Sequence, residues 1–195
     1  MPQPEPILCA VFLIAAFVAS GIVQTVWLRS RVSLRFNIPL DGGKTIGGKR
    51  VFGDSKTWRG FVVMVPAVGA SFFLLGTLRP FLATDWQHGL WPLSPAAYAL
   101  LGCWVGLGFM AGELPNSCLK RQLGIAPGET PTPTWARLVC FVLDQVDSIV
   151  VGLLALSLVV PTPIGTWVIL VVLGAGIHWL FNVVLFLLGV KTRPA

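Results

Sequence analysis

Five stretches of this chain, 7–28, 60–78, 95–111, 138–160 and 164–190, are apolar enough to lie in a lipid bilayer. A hydrocarbon core of about 30 Å takes about 20 residues of helix. Within it, every backbone N–H and C=O must find a partner inside the segment or in a closed barrel. Runs of this length satisfy that condition as helices. The expected fold is therefore all-α: a polytopic membrane protein, a bundle of about five transmembrane helices. Of the 195 residues 55% are hydrophobic and only 11% charged, and the mean hydropathy is +0.80. A soluble domain carries about 25% charged residues, so a water-soluble globule is excluded. One bundle takes up the whole length, which predicts a single integral membrane domain over 1–195 and no separate soluble domain.

The third stretch is short, so its helix is expected to continue beyond the membrane surface. Pro161, Thr162 and Pro163 alone separate the last two, a tight turn that makes them antiparallel neighbours. The first stretch is preceded by no Lys or Arg, the reverse of a signal peptide, and counts as a span. Thirteen of the 14 Lys and Arg residues fall in loops 29–59 and 112–137 or in the C-terminal tail, with Arg79 the exception. That bias predicts a cell-membrane protein with both loops and the C-terminus in the cytoplasm and the N-terminus outside. Trp27, Trp58 and Trp135 would mark the inner interface, and Trp86, Trp91 and Trp167 the outer one. The net charge of +6 is then mostly a topology signal, with no nucleic-acid partner implied, although it would attract anionic lipids and nucleotides.

Asp144 and Asp147 interrupt the fourth apolar stretch. An ionised Asp at a helix centre costs roughly 2.5–3.5 kcal/mol on insertion scales, and intramembrane acids mark functional sites by default. Three residues apart, the two share one helical face. Carboxylates that close resist ionising together unless a cation sits between them. The pair reads as a divalent-metal site facing a water-filled cavity near one membrane surface, the alternative being interfacial acids bonded to a neighbouring helix or a capping partner.

The remaining chemistry lies in the two loops. The first runs Pro39-Leu40-Asp41-Gly42-Gly43-Lys44, then Gly48-Lys49-Arg50-Val51-Phe52-Gly53-Asp54-Ser55-Lys56-Thr57-Trp58-Arg59-Gly60. Its glycines can aim successive N–H groups at an anion, and Lys44, Lys49, Arg50, Lys56 and Arg59 can neutralise phosphates. It is not a Walker A loop, since Ile38 stands where the first glycine is required. In the second loop, a continued helix puts Glu113, Asn116 or Ser117, and Lys120 on one face. Such a face can offer a metal ligand and a phosphate contact together, the alternative being a solvated amphipathic extension of the helix. Pro115 would kink this helix, and Gly124 followed by Pro127-Gly128 would end it.

Other residues read as structural. Cys9, Cys103, Cys118 and Cys140 show no paired spacing, and His88 reads as an outer-loop residue. His178 and Asn182 share a face suited to interhelical hydrogen bonds, and Gly102, Gly106, Gly108 and Gly112 form a small-residue face for close helix packing.

Together, Pro-x-Asp-Gly-Gly, Gly-x-Arg-x-Phe-Gly-Asp-x-Lys-Thr-Trp-Arg-Gly, Ser-x-x-Lys-Arg-x-x-Gly-Ile-x-x-Gly and Asp-Gln-x-Asp resemble the CDP-archaeol synthase family. The closing Ser-x-x-Lys-Arg and Asp-x-x-Asp-Ser elements are similar to the broader CDP-diacylglycerol synthase signature. The resemblance is specific over 41–61 and 112–152 and implies cytidylyl transfer from CTP to a membrane glycerolipid phosphate. It further implies that Asp144 and Asp147 hold Mg²⁺, with Glu113 beside them, and that Lys120 and Arg121 hold the CTP phosphates. Ser117, Asn116, Asp54, Lys56, Thr57 and Arg59 would then line the nucleotide or lipid-phosphate pocket, with Lys49 and Arg50 close by. Self-association into a homodimer stays open. Such chemistry joins several anionic groups and asks for a metal ion, fixed cations and alignment of attacking and leaving oxygens. Two other classes remain: a small ion-coupled transporter using the Asp pair, and a catalytically silent lipid- or nucleotide-binding protein of the same fold.

Overall fold

The computed structural model describes residues 1–81, 89–127, 129 and 131–191. Trp86, His88, Gly128 and Arg193 lie outside them. Five long helices carry the chain: α1 (Pro6–Arg29), α2 (Trp58–Leu78), α3 (Pro95–Gln122), α4 (Thr134–Ser157) and α5 (Ile164–Leu187). All five are long and apolar enough to cross a membrane, and much of their apolar surface stays uncovered by the rest of the protein, as a lipid solvent permits. The chain is an all-α multi-pass membrane protein.

Proline and short polar side chains set where the helices begin. Glu5 caps α1 by accepting from Leu8 N at 2.6 Å, and Ser94 caps α3 by accepting from Ala97 N at 3.2 Å; Pro6 and Pro95 follow at the first helical positions. Pro133 and Pro163 stand extended just ahead of α4 and α5. The third helix does continue past residue 111, through Pro115 to Gln122. α4 begins at Thr134, four residues ahead of its apolar run, and α5 ends at Leu187.

Each helix packs on the next, and α5 returns to α1, so the five close into a ring. The glycines of α3 serve two neighbours instead of forming one face. A Cβ on Gly102 would meet Val68 O of α2 at 2.7 Å, whereas one on Gly112 would meet Asp147 O of α4 at 2.8 Å and Ser148 Cα at 2.9 Å. This close approach brings α3 against the acid-bearing turn of α4. One end of the ring is sealed by aromatic packing of Phe12 on Phe72, Tyr98 and Trp91, with centroids 5.0, 5.4 and 6.3 Å apart. Trp91 therefore departs from the expected interfacial role. It is fully buried and donates to Pro161 O at 2.8 Å, because the segment after residue 89 folds inward over the ring. Trp58 and Trp135 remain exposed.

Between α1 and α2 lies a 3-10 helix (Val32–Phe36) and a two-residue antiparallel hairpin, β1 (Thr45–Ile46) with β2 (Lys49–Arg50). A bridge between Pro39 and Thr57 closes the loop at its base.

Candidate active site

The two acids of α4 face α3. Asn116 Nδ2 donates to Asp144 Oδ1 at 2.7 Å and to Asp147 Oδ2 at 3.1 Å, so a single amide spans both carboxylates. Lys120, one turn further along α3, donates to both oxygens of Asp144 at 2.6 Å. Asp147 forms no salt bridge among the described residues; its other partner is Ser148 N, at 2.6 Å. Glu113 is paired instead with Lys56 from the first loop. Burial works against the Lys56 charge, but Glu113, with Asp147 and Asp144 behind it, holds its ammonium above the ordinary lysine value. Three acids thus meet two lysines at one end of the ring.

These residues open into one cavity of about 800 Å³ that reaches all five helices, within the size range of small-molecule sites. Its charged end is lined by Asp54, Lys56, Thr57, Arg59, Glu113, Ser117, Lys120, Arg121, Asp144 and Asp147. Its far part is apolar, lined by Leu13 and Phe17 of α1, Phe109 of α3, Leu153 and Leu156 of α4, and Leu170 of α5. Arg59 donates to Leu28 O at 2.6 Å and to Ser33 Oγ at 2.8 Å, tying the end of α1 to the start of α2. Arg121 donates to Ile125 O. The Nε atoms of both arginines are buried without a hydrogen-bond partner among the described residues. Orphaned buried donors are rare and call for an acceptor.

Three expected residues are not among those that line the cavity: Asn116, whose amide is taken up by the two acids, Lys49 and Arg50. Lys49 donates to Gln122 O at 2.6 Å and so caps the end of α3. Arg50 is shared between Asp41, at 2.6 Å, and the exposed Asp54, at 2.8 Å. Asp41 explains why. Its buried carboxylate accepts from the N–H groups of Gly43, Phe52 and Gly53, each at 3.0 Å, as well as from Arg50. The glycine-rich backbone was expected to cradle a phosphate, yet here it wraps an anion of its own. The loop's cavity contacts fall to Asn37, Leu40, Asp54, Ser55, Lys56, Thr57 and Arg59.

The Arg50 guanidinium holds the Asp41 carboxyl well below the usual carboxylate range, helped by these backbone donors. A depressed native pKa gives stability that is present above the unfolded value of about 3.9 and lost as pH falls through the native one. Asp41→Asn is therefore expected to lower the thermal unfolding temperature in detergent by several degrees at pH 7. The gap to the wild type should narrow as pH falls below about 4. A gap that stayed constant down to pH 3 would show that the charge is not what organises the loop.

Sequence reasoning found the acids, Asn116 and Lys120 from helical spacing. The Lys56–Glu113 pair has no local signal, because its partners are 57 positions apart. His178 and Asn182 do make the expected interhelical contacts: His178 Nδ1 lies 3.3 Å from Gln145 O, and Asn182 Nδ2 lies 3.3 Å from Gln145 Oε1. Both also line the cavity, as does Lys191, read from sequence only as a topology charge.

The donor set suits a hard divalent cation. Mg²⁺ is usually held by one or two carboxylates together with substrate phosphates, and Asp147 is a carboxylate with no cationic partner beside one that has Lys120. Among the described residues no group of three His, Cys, Asp or Glu side chains forms a self-contained metal cage, and Glu113 is engaged by Lys56.

Residues 29–194 match the family model described as CarS-like, CDP-archaeol synthase. The chain is 36% identical over 162 residues to a CDP-archaeol synthase of Halobacterium salinarum, covering 80% of this chain and 82% of that protein. It is 36% identical over 160 residues to one of Methanopyrus kandleri, covering 80% and 79%, and 31% identical over 166 residues to one of Pyrococcus furiosus, covering 85% and 88%. No solved structure matches. Motifs, five-helix ring and relatives agree, and the chain belongs to the CDP-archaeol synthase family.

Proposed function

We propose that this protein transfers a cytidylyl group from CTP to a membrane glycerolipid phosphate, leaving a CDP-lipid in the bilayer and releasing pyrophosphate. The observation that carries this reading is the cavity between the five helices, with acids and cations at one end and apolar walls at the other. A water-soluble pair of substrates would not need the apolar half, and an ion pathway would need polar residues along it.

An oxygen of the lipid phosphate attacks the α-phosphorus of CTP, the bond to the β-phosphate breaks, and pyrophosphate leaves with that bonding pair. The protein's part is placement and charge. Lys56, Lys120 and Arg121 neutralise phosphate oxygens, and Thr57, Ser117 and the Arg59 guanidinium lie where they can donate to them. Asn116 fixes the Asp144 and Asp147 carboxylates relative to one another. Those two acids would hold Mg²⁺, which would supply electrostatic stabilisation of the charge that develops during transfer. Glu113 keeps Lys56 charged at the cavity wall. The apolar walls take the lipid chains and keep the reacting phosphate away from bulk water.

The test is purified protein with CTP, Mg²⁺ and an unsaturated dialkylglycerol phosphate, assayed for pyrophosphate and for a CTP-derived lipid. Absence of both products, from protein that unfolds cooperatively, would favour a silent binding protein. The reading also carries a cytoplasmic charged end, on the positive-inside bias. A cysteine introduced as Lys49→Cys should resist a membrane-impermeant reagent in intact cells and react once they are opened. Labelling in intact cells would overturn that orientation. The homodimer belongs to this reading only as an expectation, checked by the mass of the detergent-solubilised protein.

A further inference from the structure

Lys191 belongs to none of the motifs that mark the site, yet it lines the cavity. Just beyond α5, Gly189 takes a left-handed φ of 70°. The N–H groups of Val190 and Lys191 then donate back to Leu185 O, at 2.9 and 3.2 Å. This is the glycine-closed helix end that lets a chain double back. The Lys191 ammonium consequently returns along α5 and donates to Asn182 Oδ1. Asn182 is itself buried and fixed by the Gln145 side chain, which stands next to Asp144 on α4.

Two features distinguish this lysine from one that merely closes a helix. It is an exposed residue and lines the cavity, while the protein around it desolvates the ammonium and draws its pKa below the ordinary lysine value. Glu113, Asp144 and the like-charged Lys56 act on it electrostatically, but it forms no salt bridge among the described residues. An ammonium has three donors, and a single amide oxygen leaves donors for an acceptor in the cavity. Beneath it, Leu185, Phe181, Ile177, Gly174 and Leu170 of the same helix form one apolar wall of that cavity. α5 itself contains no Lys or Arg. A lipid whose chains lie along this wall brings its phosphate to the wall's charged end, where Lys191 stands.

We propose that Lys191 is a substrate-contacting residue that donates to the phosphate of the lipid acceptor, and that Asn182 is the positioning residue that presents it. This rests on the cytidylyltransferase reading above. Lys191→Ala should raise the KM for phosphatidic acid or a dialkylglycerol phosphate about tenfold. The kcat and the KM for CTP should stay within about twofold. Lys191→Arg should recover most of the loss. Asn182→Ala should shift the same constant by a smaller factor and add little on top of Lys191→Ala, since both act through one contact. Arg35→Ala, which removes an exposed charge of the 3-10 helix Val32–Phe36, should change none of these constants. A rise confined to the KM for CTP would move the contact to the nucleotide and overturn the lipid assignment. Unchanged constants in Lys191→Ala would overturn the contact altogether. Binding of a fluorescent phosphatidic acid to detergent-solubilised wild type and Lys191→Ala reads the same contact without turnover. If the wild type binds but does not react, the transferase reading fails alone; if both proteins bind equally, the Lys191 assignment fails.

Discussion

Asp144→Asn and Asp147→Asn are each expected to lower turnover on the order of a hundredfold or more while leaving the protein folded. The two halves of that expectation have different causes. Folding survives because asparagine keeps the shape and one acceptor oxygen. Asn116 Nδ2 can still bond position 144, and the Ser148 N–H can still bond position 147. Each change also takes a charge out of the membrane, which helps insertion. Asp144→Asn does leave Lys120, whose side chain is 15% exposed, without its carboxylate, so this variant is expected to lose some stability, limited by the amide oxygen that still accepts from the ammonium. Turnover does not survive, because a neutral amide is a far poorer ligand for a hard divalent cation. Asn116→Ala should be intermediate, about 10–100-fold, because it frees the carboxylates from each other without removing either. Lys120→Ala should be severe and Cys118→Ala mild. Near-normal rate in either Asp variant at saturating Mg²⁺ would sink the metal assignment, and a loss of cooperative unfolding would trace the effect to structure.

How much of this was readable from sequence follows the range of each interaction. The five helices were legible because bilayer thickness imposes a length that composition alone reveals. The continuation of α3 to Gln122 was legible because Glu113, Asn116 and Lys120 keep helical spacing. Asp144 and Asp147 stood out because a charge in an apolar run costs free energy. What was not legible depends on packing between distant segments. Gly112 looked like part of one small-residue stripe, but whether α2 or α4 would fill the notch depends on how the ring closes. The first loop has the pattern of a phosphate cradle, since the same glycines and cations serve either anion. That Asp41 fills the cradle follows from the hairpin bringing Phe52 and Gly53 back over it. Trp91 looked interfacial by its place in the sequence, and only the fold of the segment around it buries the ring. Lys191 looked like a tail charge because nothing local shows that Gly189 reverses the chain.

The second large effect concerns the acceptor. A two-chain glycerolipid phosphate should react on the order of a hundredfold or more faster than glycerol 3-phosphate at equal concentration, with a one-chain lysophosphatidic acid between them. The Asp pair lies about two helical turns along α4 from Arg137, at 5.4 Å per turn. A phosphate reaching that depth leaves water on one side and meets apolar wall on the other. Burying a lipid chain there contributes roughly 0.8 kcal/mol per methylene relative to water. A lipid already in the bilayer gains less from the transfer itself, since its chains merely exchange one apolar surround for another. Its advantage is the fixed orientation of the attacking oxygen beside the α-phosphorus and a high local concentration in two dimensions. Both are entropic terms that a soluble acceptor lacks, and effective-molarity effects of this kind reach well beyond a hundredfold. The apolar lining from Leu13, Phe17, Leu153, Leu156 and Leu170 is the part of the cavity that confers them. A bulky polar change within it, Leu153→Gln, should therefore depress the rate with two-chain acceptors and leave the low rate with glycerol 3-phosphate almost unchanged. Initial rates across the four combinations of protein and acceptor decide it. Equal rates for glycerol 3-phosphate and the two-chain lipids would show that the apolar half of the cavity plays no part in the reaction, and would turn the enzyme into a soluble-acceptor nucleotidyltransferase housed in a membrane.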